Sequence, residues 1–174
     1  MRTLVLGGAR SGKSMFAEEL CADEDVCYVA TARPWPDDTD FYQRIAEHVK
    51  RRPAHWTTED RIDAATVLAN PPCRTVLVDD LGTWLTHTLD DAQAWDAPRG
   101  TITPQVQRLI AAVDSFPVSN NLILVSPEVG MGVIPEHRSG RLFRDEIGAL
   151  NGTLAALCER VTLVVAGIPL TLKP

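Results

Sequence analysis

Short apolar runs rich in valine and leucine recur along this 174-residue chain, and amphipathic stretches separate them. The runs contain few polar residues, which is typical of strands buried on both faces of a sheet. Their positions predict strands at residues 3–6, 26–30, 75–78, 121–125 and 161–166, with a short last strand at 170–172.

The stretches between these runs carry apolar residues at helical spacing. In the longest, Phe143, Ile147, Leu150, Leu154 and Leu157 form a stripe suited to the core or to a subunit interface. The polar segment 90–100 is expected to be an irregular surface loop. The spacing predicts helices at residues 13–22, 40–51, 62–68, 81–89, 104–116 and 139–159.

Strands that alternate with helices indicate an α/β protein whose mostly parallel sheet carries helices on both faces, which makes three layers. Because the chain has no repeat and no low-complexity tract, we expect one domain over residues 1–174. Ligands of such sheets bind at the carboxyl ends of the strands.

A glycine-rich loop follows the first predicted strand and opens the first predicted helix. It fits G-x-x-x-x-G-K-[ST], a pattern whose backbone amides cradle phosphate oxygens. Lys13 would reach the β- and γ-phosphates of a nucleoside triphosphate, and Ser14 would ligate Mg²⁺. The loop comprises Gly7, Gly8, Ala9, Arg10, Ser11, Gly12, Lys13 and Ser14.

Two aspartates, Asp79 and Asp80, end the apolar run at 75–78 and predict the metal partner of this loop. Side chains alternate along a strand, so only one of the two can face Mg²⁺. We expect this to be Asp79, because it directly ends the run. Asp80 is expected to cap the helix that follows.

The predicted helix 40–51 places one histidine among arginines. Arg44, His48 and Arg52 recur every four residues beside an apolar stripe, with Arg51 nearby. A neutral imidazole is nucleophilic near pH 7, and arginines one turn away can bind phosphate oxygens. The alternative is a partly buried histidine with solvated arginines, and spacing alone favours that alternative.

Composition restricts the partners. The net charge of −6 argues against nucleic acid as the main partner. The phosphate loop begins at the seventh residue and no apolar run approaches the roughly 20 residues of a membrane span, so we expect a soluble, cytoplasmic protein without a signal peptide. The four cysteines are scattered and are expected to be reduced apolar fillers.

Taken together, several segments resemble the bifunctional adenosylcobinamide kinase/adenosylcobinamide-phosphate guanylyltransferase family of cobalamin biosynthesis. Besides the phosphate loop, two blocks are specific to this family. The first is Arg44-Ile45-Ala46-Glu47-His48 followed by Arg52-Pro53-Ala54-His55-Trp56 and Glu59, and the second is Glu128-Val129-Gly130-Met131-Gly132 with Pro135. Further matches lie at residues 28–32, 140–145, Asn151 and 165–169.

The resemblance implies a RecA-like P-loop NTPase fold, a homotrimer and two reactions. A kinase step transfers the γ-phosphoryl group of ATP or GTP to adenosylcobinamide. In a guanylyltransferase step, His48 attacks GTP, expels pyrophosphate and passes GMP to adenosylcobinamide phosphate. The implied catalytic residues are His48 and Lys13, with Mg²⁺ on Ser14 and Asp79. The implied nucleotide site is residues 7–14 with Thr31, Arg52, Glu59, Asp79 and Glu128.

The roles of Glu128 and Asp79 stay open between holding metal, polarising the substrate hydroxyl and contacting guanine. The chain also departs from the family pattern: Pro127 replaces an expected Asn, His87 a frequent Asn, and Asp80 a frequent Cys. Two alternatives are a different small-molecule P-loop kinase without the transferase step, and a non-catalytic nucleotide-binding module.

Overall fold

The computed structural model describes residues 1–33 and 52–174. Seven strands in this part of the chain form one sheet in the order β3-β2-β4-β5-β1-β6-β7. The first six are parallel, whereas β7 pairs antiparallel with β6 at one edge. The strands are β1 Arg2–Gly7, β2 Val26–Ala30, β3 Thr57–Glu59, β4 Thr75–Asp79, β5 Asn121–Pro127, β6 Arg160–Val165 and β7 Ile168–Lys173.

Helices cover both faces of this sheet, as the α/β pattern predicts. Because side chains alternate along each strand, Leu4 and Leu6 enter one apolar cluster while Val5 between them enters the other. The first cluster includes residues of α2 to α5, and the second includes Ala17 of α1 together with Trp56. The helices are α1 Lys13–Glu19, α2 Ala64–Ala69, α3 Leu81–Asp91, α4 Thr103–Asp114 and α5 Arg138–Leu157.

Most predicted elements are present, with shifted ends. α1 ends at Glu19, three residues early, and α2 begins at Ala64 because Asp63 caps it through a hydrogen bond from the amide of Ala65 to Oδ1 (3.1 Å). In α5 the predicted stripe packs into the core: Ile147, Leu150 and Leu154 are buried. The predicted helix 40–51 lies outside the described residues.

One prediction was wrong in part, and one strand was not predicted. The segment 90–100 is not wholly irregular surface, because α3 continues to Asp91 and the side chain of Ala94 is buried. The sequence pattern also missed β3, whose three polar residues pair with Cys27, Tyr28 and Val29 of β2. Such a short polar strand has no apolar signal of its own and exists because β2 offers it an edge.

The parallel strands bring the predicted functional loops to one edge. Gly7 at the end of β1 lies opposite Pro127 of β5, and Ala30 at the end of β2 lies opposite Asp79 of β4. The phosphate loop, the acidic pair and the segment after β5 therefore begin side by side.

Candidate active site at the carboxyl edge of the sheet

The phosphate loop turns tightly between β1 and α1. Arg10 and Gly12 adopt positive φ angles of 57° and 93°, and the amide of Phe16 donates to the carbonyl of Gly12, the residue that caps α1 (3.0 Å). Glycine tolerates this left-handed conformation without a steric penalty. The ammonium of Lys13 lies 3.5 Å from the carbonyl oxygen of Gly8. Its positive charge is therefore next to the backbone of the phosphate loop.

Neighbouring strand ends brace this loop. The amide of Glu128 donates to the carbonyl of Gly7 (3.1 Å), and the amide of Gly167 donates to that of Ser11 (2.8 Å). A Cβ on Gly12 would lie 3.3 Å from the Cα of Gly167, so the turn between β6 and β7 packs closely against the loop. The Ser11 hydroxyl is buried and has no hydrogen-bond partner among the described residues.

Asp79 lies beside the phosphate loop and is only 8% exposed. The hydroxyl of Ser14 donates to its Oδ1 (3.1 Å), and the phenol of Tyr28 donates to its Oδ2 (2.5 Å). The two predicted metal ligands are thus in direct contact, although 65 residues separate them in the chain. Hydroxyl and carboxylate oxygens are the ligands that Mg²⁺ prefers, usually completed by substrate phosphates and water.

Asp80 directly follows β4 and caps α3, as predicted. Its Oδ1 accepts a hydrogen bond from the amide of Thr83 (2.9 Å). Burial, reinforced by the charge of Asp79, raises the pKa of the Asp80 carboxyl. Thr31 is hydrogen-bonded to the backbone of both aspartates. Its amide donates to the carbonyl of Asp79 (3.2 Å), and its hydroxyl donates to the carbonyl of Asp80 (2.6 Å).

The guanidinium of Arg52 lies over the ring of Tyr28. Its guanidinium carbon is 3.6 Å from the centroid of the Tyr28 ring, and Trp56 stacks on the same ring at 6.3 Å between centroids. One guanidinium nitrogen donates to Thr58 (3.1 Å), while Nε is buried without a partner among the described residues. Tyr28 therefore contacts both Arg52 and Asp79.

The two predicted glutamates are held by their own loops. Oε1 of Glu59 accepts hydrogen bonds from the amides of Arg61 (2.8 Å) and Ile62 (2.9 Å), which lower the pKa of this carboxyl. Oε1 of Glu128 accepts one from the amide of Gly130 (2.6 Å). Of the two, Glu128 is tied directly to the phosphate loop through its backbone.

The loop after Glu128 is shaped by an arginine of α5. Arg144 donates to the carbonyls of Gly130 (2.6 Å), Gly132 (3.1 Å) and Val133 (3.0 Å). The side chains of Met131 and Val133 remain 79% and 94% exposed. Arg144 therefore uses its charge to fix the loop backbone, and the loop presents apolar side chains outward beside the phosphate site.

Three of the four histidines belong to the described residues. His55 pairs with the carbonyl of Glu24 (3.1 Å) and His87 accepts the amide hydrogen of Arg33 (3.2 Å), while His137 precedes α5. Both partnered imidazoles have structural roles. His48, with Arg44 and Arg51, lies outside the described residues.

The model of one protein family, described as cobinamide kinase / cobinamide phosphate guanyltransferase, matches residues 3–172. The chain belongs to this family. The match includes the phosphate loop and both aspartates at the end of β4, and it confirms the resemblance drawn from the sequence blocks.

Full-length relatives agree. The chain is 44% identical over 180 residues to the bifunctional adenosylcobalamin biosynthesis protein CobP of Pseudomonas aeruginosa, covering 99% of this chain and 98% of that protein. It is 39% identical over 185 residues to CobU of Salmonella typhimurium and 40% to CobU of Escherichia coli, covering 99% of this chain and all of each relative. Both CobU proteins carry the same bifunctional description.

Solved structures support the fold. The P4 protein of bacteriophage phi6, determined with ADP, aligns with a TM-score of 0.50 and 16% identity over 97% of this chain and 52% of its own. A Pyrococcus horikoshii protein aligns with a TM-score of 0.52 and 7% identity over 99% of this chain and 85% of its own. At such identities the likeness concerns the fold alone, and it agrees with a three-layer P-loop architecture for this family member.

Two further observations concern absent features. Within residues 1–33 and 52–174, no helix is long and apolar enough to cross a membrane. In the same residues, no group of three or more His, Cys, Asp or Glu side chains is arranged to hold a metal.

Sequence reasoning missed one residue of this site, Tyr28, which lies in a family block but received no role. A signal existed: a tyrosine in an otherwise aliphatic buried strand needs a partner for its hydroxyl. The sequence did not indicate that this partner would be Asp79.

Proposed function

We propose that this chain phosphorylates adenosylcobinamide with ATP or GTP and then transfers GMP from GTP to the product, giving adenosylcobinamide-GDP and pyrophosphate in cobalamin biosynthesis. Family membership supports both reactions. The geometric support is the contact between Ser14 and Asp79 beside Lys13, because it joins a phosphate loop to an acidic strand end in one site.

In the kinase reaction, the loop amides and Lys13 hold the triphosphate. The substrate hydroxyl oxygen attacks the γ-phosphorus, a new P–O bond forms, and the bond to the nucleoside diphosphate breaks. The hydroxyl proton leaves to a nearby base, for which Glu128 is one candidate and Asp79 another. Lys13 stabilises charge on the phosphate oxygens, so catalysis is mainly positioning and electrostatics.

In the transferase reaction, an imidazole nitrogen of His48 attacks the α-phosphorus of GTP. A P–N bond forms, the bond to the β-phosphate oxygen breaks, and pyrophosphate leaves. A phosphate oxygen of adenosylcobinamide phosphate then attacks the same phosphorus, the P–N bond breaks, and the imidazole is regenerated. A histidine nucleophile thus divides one anhydride exchange into two displacements. Thr31, Arg52 and Glu59 are proposed to line the same nucleotide site.

Ser14 and Asp79 would hold Mg²⁺, and their oxygen donors fit that ion. When bound, Mg²⁺ would neutralise charge on the phosphate oxygens. We further propose a homotrimer in the cytoplasm, whose partners are its nucleotide and corrinoid substrates and not nucleic acid.

GTP labelled at the α-phosphate tests the transferase mechanism. We expect label that is stable to base, labile to acid, absent from His48→Ala and retained in His55→Ala, with adenosylcobinamide phosphorylation preserved in both variants. A protein that phosphorylates adenosylcobinamide but never takes up label would instead be a kinase that lacks the covalent step.

A further inference from the structure

The hydrogen bond between Tyr28 and Asp79 orients the carboxylate. One oxygen of Asp79 accepts from the Tyr28 phenol at 2.5 Å, and the other accepts from Ser14 at 3.1 Å. The terminal torsion of an aspartate is broad and nearly two-fold. The phenol and the Ser14 hydroxyl, one on each oxygen, both restrict this torsion.

Elementary chemistry sets the direction of this hydrogen bond. Tyr28 is 1% exposed, and both the guanidinium of Arg52 and the indole of Trp56 pack on its ring. An ionised carboxylate can only accept hydrogen bonds, so the phenol is the donor.

The two partners come from adjacent parallel strands. Tyr28 lies in the interior of β2, and Asp79 is the last residue of β4, which pairs with β2. Both belong to the rigid sheet, so the phenol can hold the carboxylate more accurately than a loop residue could.

We propose that Tyr28 is a positioning residue for the metal–nucleotide site: it holds Oδ2 of Asp79, so that Oδ1 stays directed at Ser14 and at a divalent cation bound with the nucleotide. The proposal rests on the proposed role of Asp79 as a metal ligand. Ligand carboxylates are themselves commonly hydrogen-bonded, and loss of such a partner lowers metal affinity about 10- to 100-fold.

The test measures Mn²⁺ binding by electron paramagnetic resonance in the presence of α,β-methylene-GTP, which cannot transfer GMP. We expect Tyr28→Phe to weaken Mn²⁺ binding about tenfold, with metal-free nucleotide affinity and thermal unfolding midpoint close to wild type. Trp56→Phe is the packing control, since it alters the contact on the same ring but leaves the phenol in place. It should bind Mn²⁺ normally.

The variant Asp79→Asn distinguishes a failure of the positioning role of Tyr28 from a failure of the metal role of Asp79. If Asp79→Asn loses Mn²⁺ affinity but Tyr28→Phe does not, the positioning role is refuted and the metal role of Asp79 stands. If neither variant loses affinity, both ideas are refuted. Equal losses in Tyr28→Phe and Trp56→Phe would show that ring packing matters and the hydroxyl does not, which also overturns the proposal.

Discussion

Nε2 of His87 lies 3.2 Å from the backbone nitrogen of Arg33 and accepts its hydrogen bond, which ties the chain after β2 to α3. Three contacts join α3 to the chain after β2, and this hydrogen bond is one of them. Thr83, His87 and Asp91, each four residues apart along α3, contact the Thr31 hydroxyl, the Arg33 amide and the Arg33 guanidinium respectively. The first of these contacts lies beside the carbonyls of Asp79 and Asp80, so α3 holds the chain after β2 next to the proposed nucleotide site.

We predict that acidification weakens this link. Nε2 can accept only when it carries no proton, and burial, assisted by the charge of Arg33, lowers the pKa of His87 below its usual 6.5. A histidine with a lowered folded-state pKa contributes stability that is complete above about pH 6.5 and declines as pH falls toward the folded value. Nδ1 of His87 also lies 4.0 Å from Asp90, whose charge opposes the shift only in part.

Urea unfolding from pH 7.5 to pH 5 would measure this effect. The wild type should lose more stability than His87→Asn, whose amide oxygen can accept a hydrogen bond but does not titrate. Parallel pH profiles for the two proteins would contradict the prediction.

The ion pair between Arg2 and Glu159 should also make the free energy of unfolding depend on pH, at lower pH than His87 does. The guanidinium of Arg2 lies 2.7 Å from Oε1 of Glu159, and this hydrogen bond lowers the pKa of Glu159 to about 2. A carboxyl with a depressed pKa stabilises the fold above its unfolded value and loses that contribution as pH falls toward 2. Because Glu159 is half exposed, we expect Glu159→Gln to cost only about 1 kcal/mol at pH 7. The difference in unfolding free energy should shrink between pH 5 and pH 2.

Loss of Lys13 should slow both reactions strongly. Lys13→Ala removes the charge that stabilises the reacting phosphate oxygens, and we expect kcat to fall about 100-fold or more in each half-reaction. Lys173→Ala is the matched control. That lysine donates to the carbonyls of Ala155, Ala156 and Cys158 at the end of α5, so its loss should reduce stability and spare both rates. Unequal losses in the two half-reactions of Lys13→Ala would argue against one shared site.

Gly82 should be intolerant of a methyl group. A Cβ there would lie 2.6 Å from Cγ of Pro127, so we expect Gly82→Ala to destabilise by about 1–3 kcal/mol. Gly148→Ala, in α5 with no atom within 4 Å of the added Cβ, should instead stabilise by about 0.5–1 kcal/mol. Denaturant unfolding measures both. The cost at Gly82 should drop in a Pro127→Ala background, and an unchanged cost would show that the proline is not responsible.

The edge strand β7 is predicted to join subunits. Ile168 and Leu170 share one face and are 71% and 56% exposed, and the neighbouring Leu172 is 54% exposed. Exposed apolar edges are unusual in proteins that stay monomeric. We expect sedimentation to give a trimer for the wild type and smaller species for Leu170→Lys. Thr171→Lys, on the opposite face, should leave the trimer intact. A monomeric wild type would contradict the prediction.

The arrangement of Asp79 and Asp80 shows how far local pattern reaches. The cap at Asp80 could be predicted locally, because an aspartate directly before a helix accepts a hydrogen bond from an amide of its first turn. The metal role of Asp79 stays a prediction. The phosphate loop was equally local, since its glycines and lysine lie within eight consecutive residues.

Other features depended on residues that are distant in sequence. The partner of the Tyr28 phenol is 51 residues away, and that of the Arg33 amide is 54 residues away. Glu59 accepts a hydrogen bond from an amide of its own turn, and Arg144 donates to backbone carbonyls within residues 130–133. None of these contacts produces a periodic pattern of residues in the sequence.

The sequence by itself determined the alternation of strands and helices, the phosphate loop, the helix cap at Asp80 and the family. The tertiary structure decided the strand order, the existence of β3, the antiparallel edge and the contacts that hold Asp79. The physical reason is that apolar periodicity records which side of an element is buried. The hydrogen bonds that orient a buried carboxylate depend instead on which strands become neighbours.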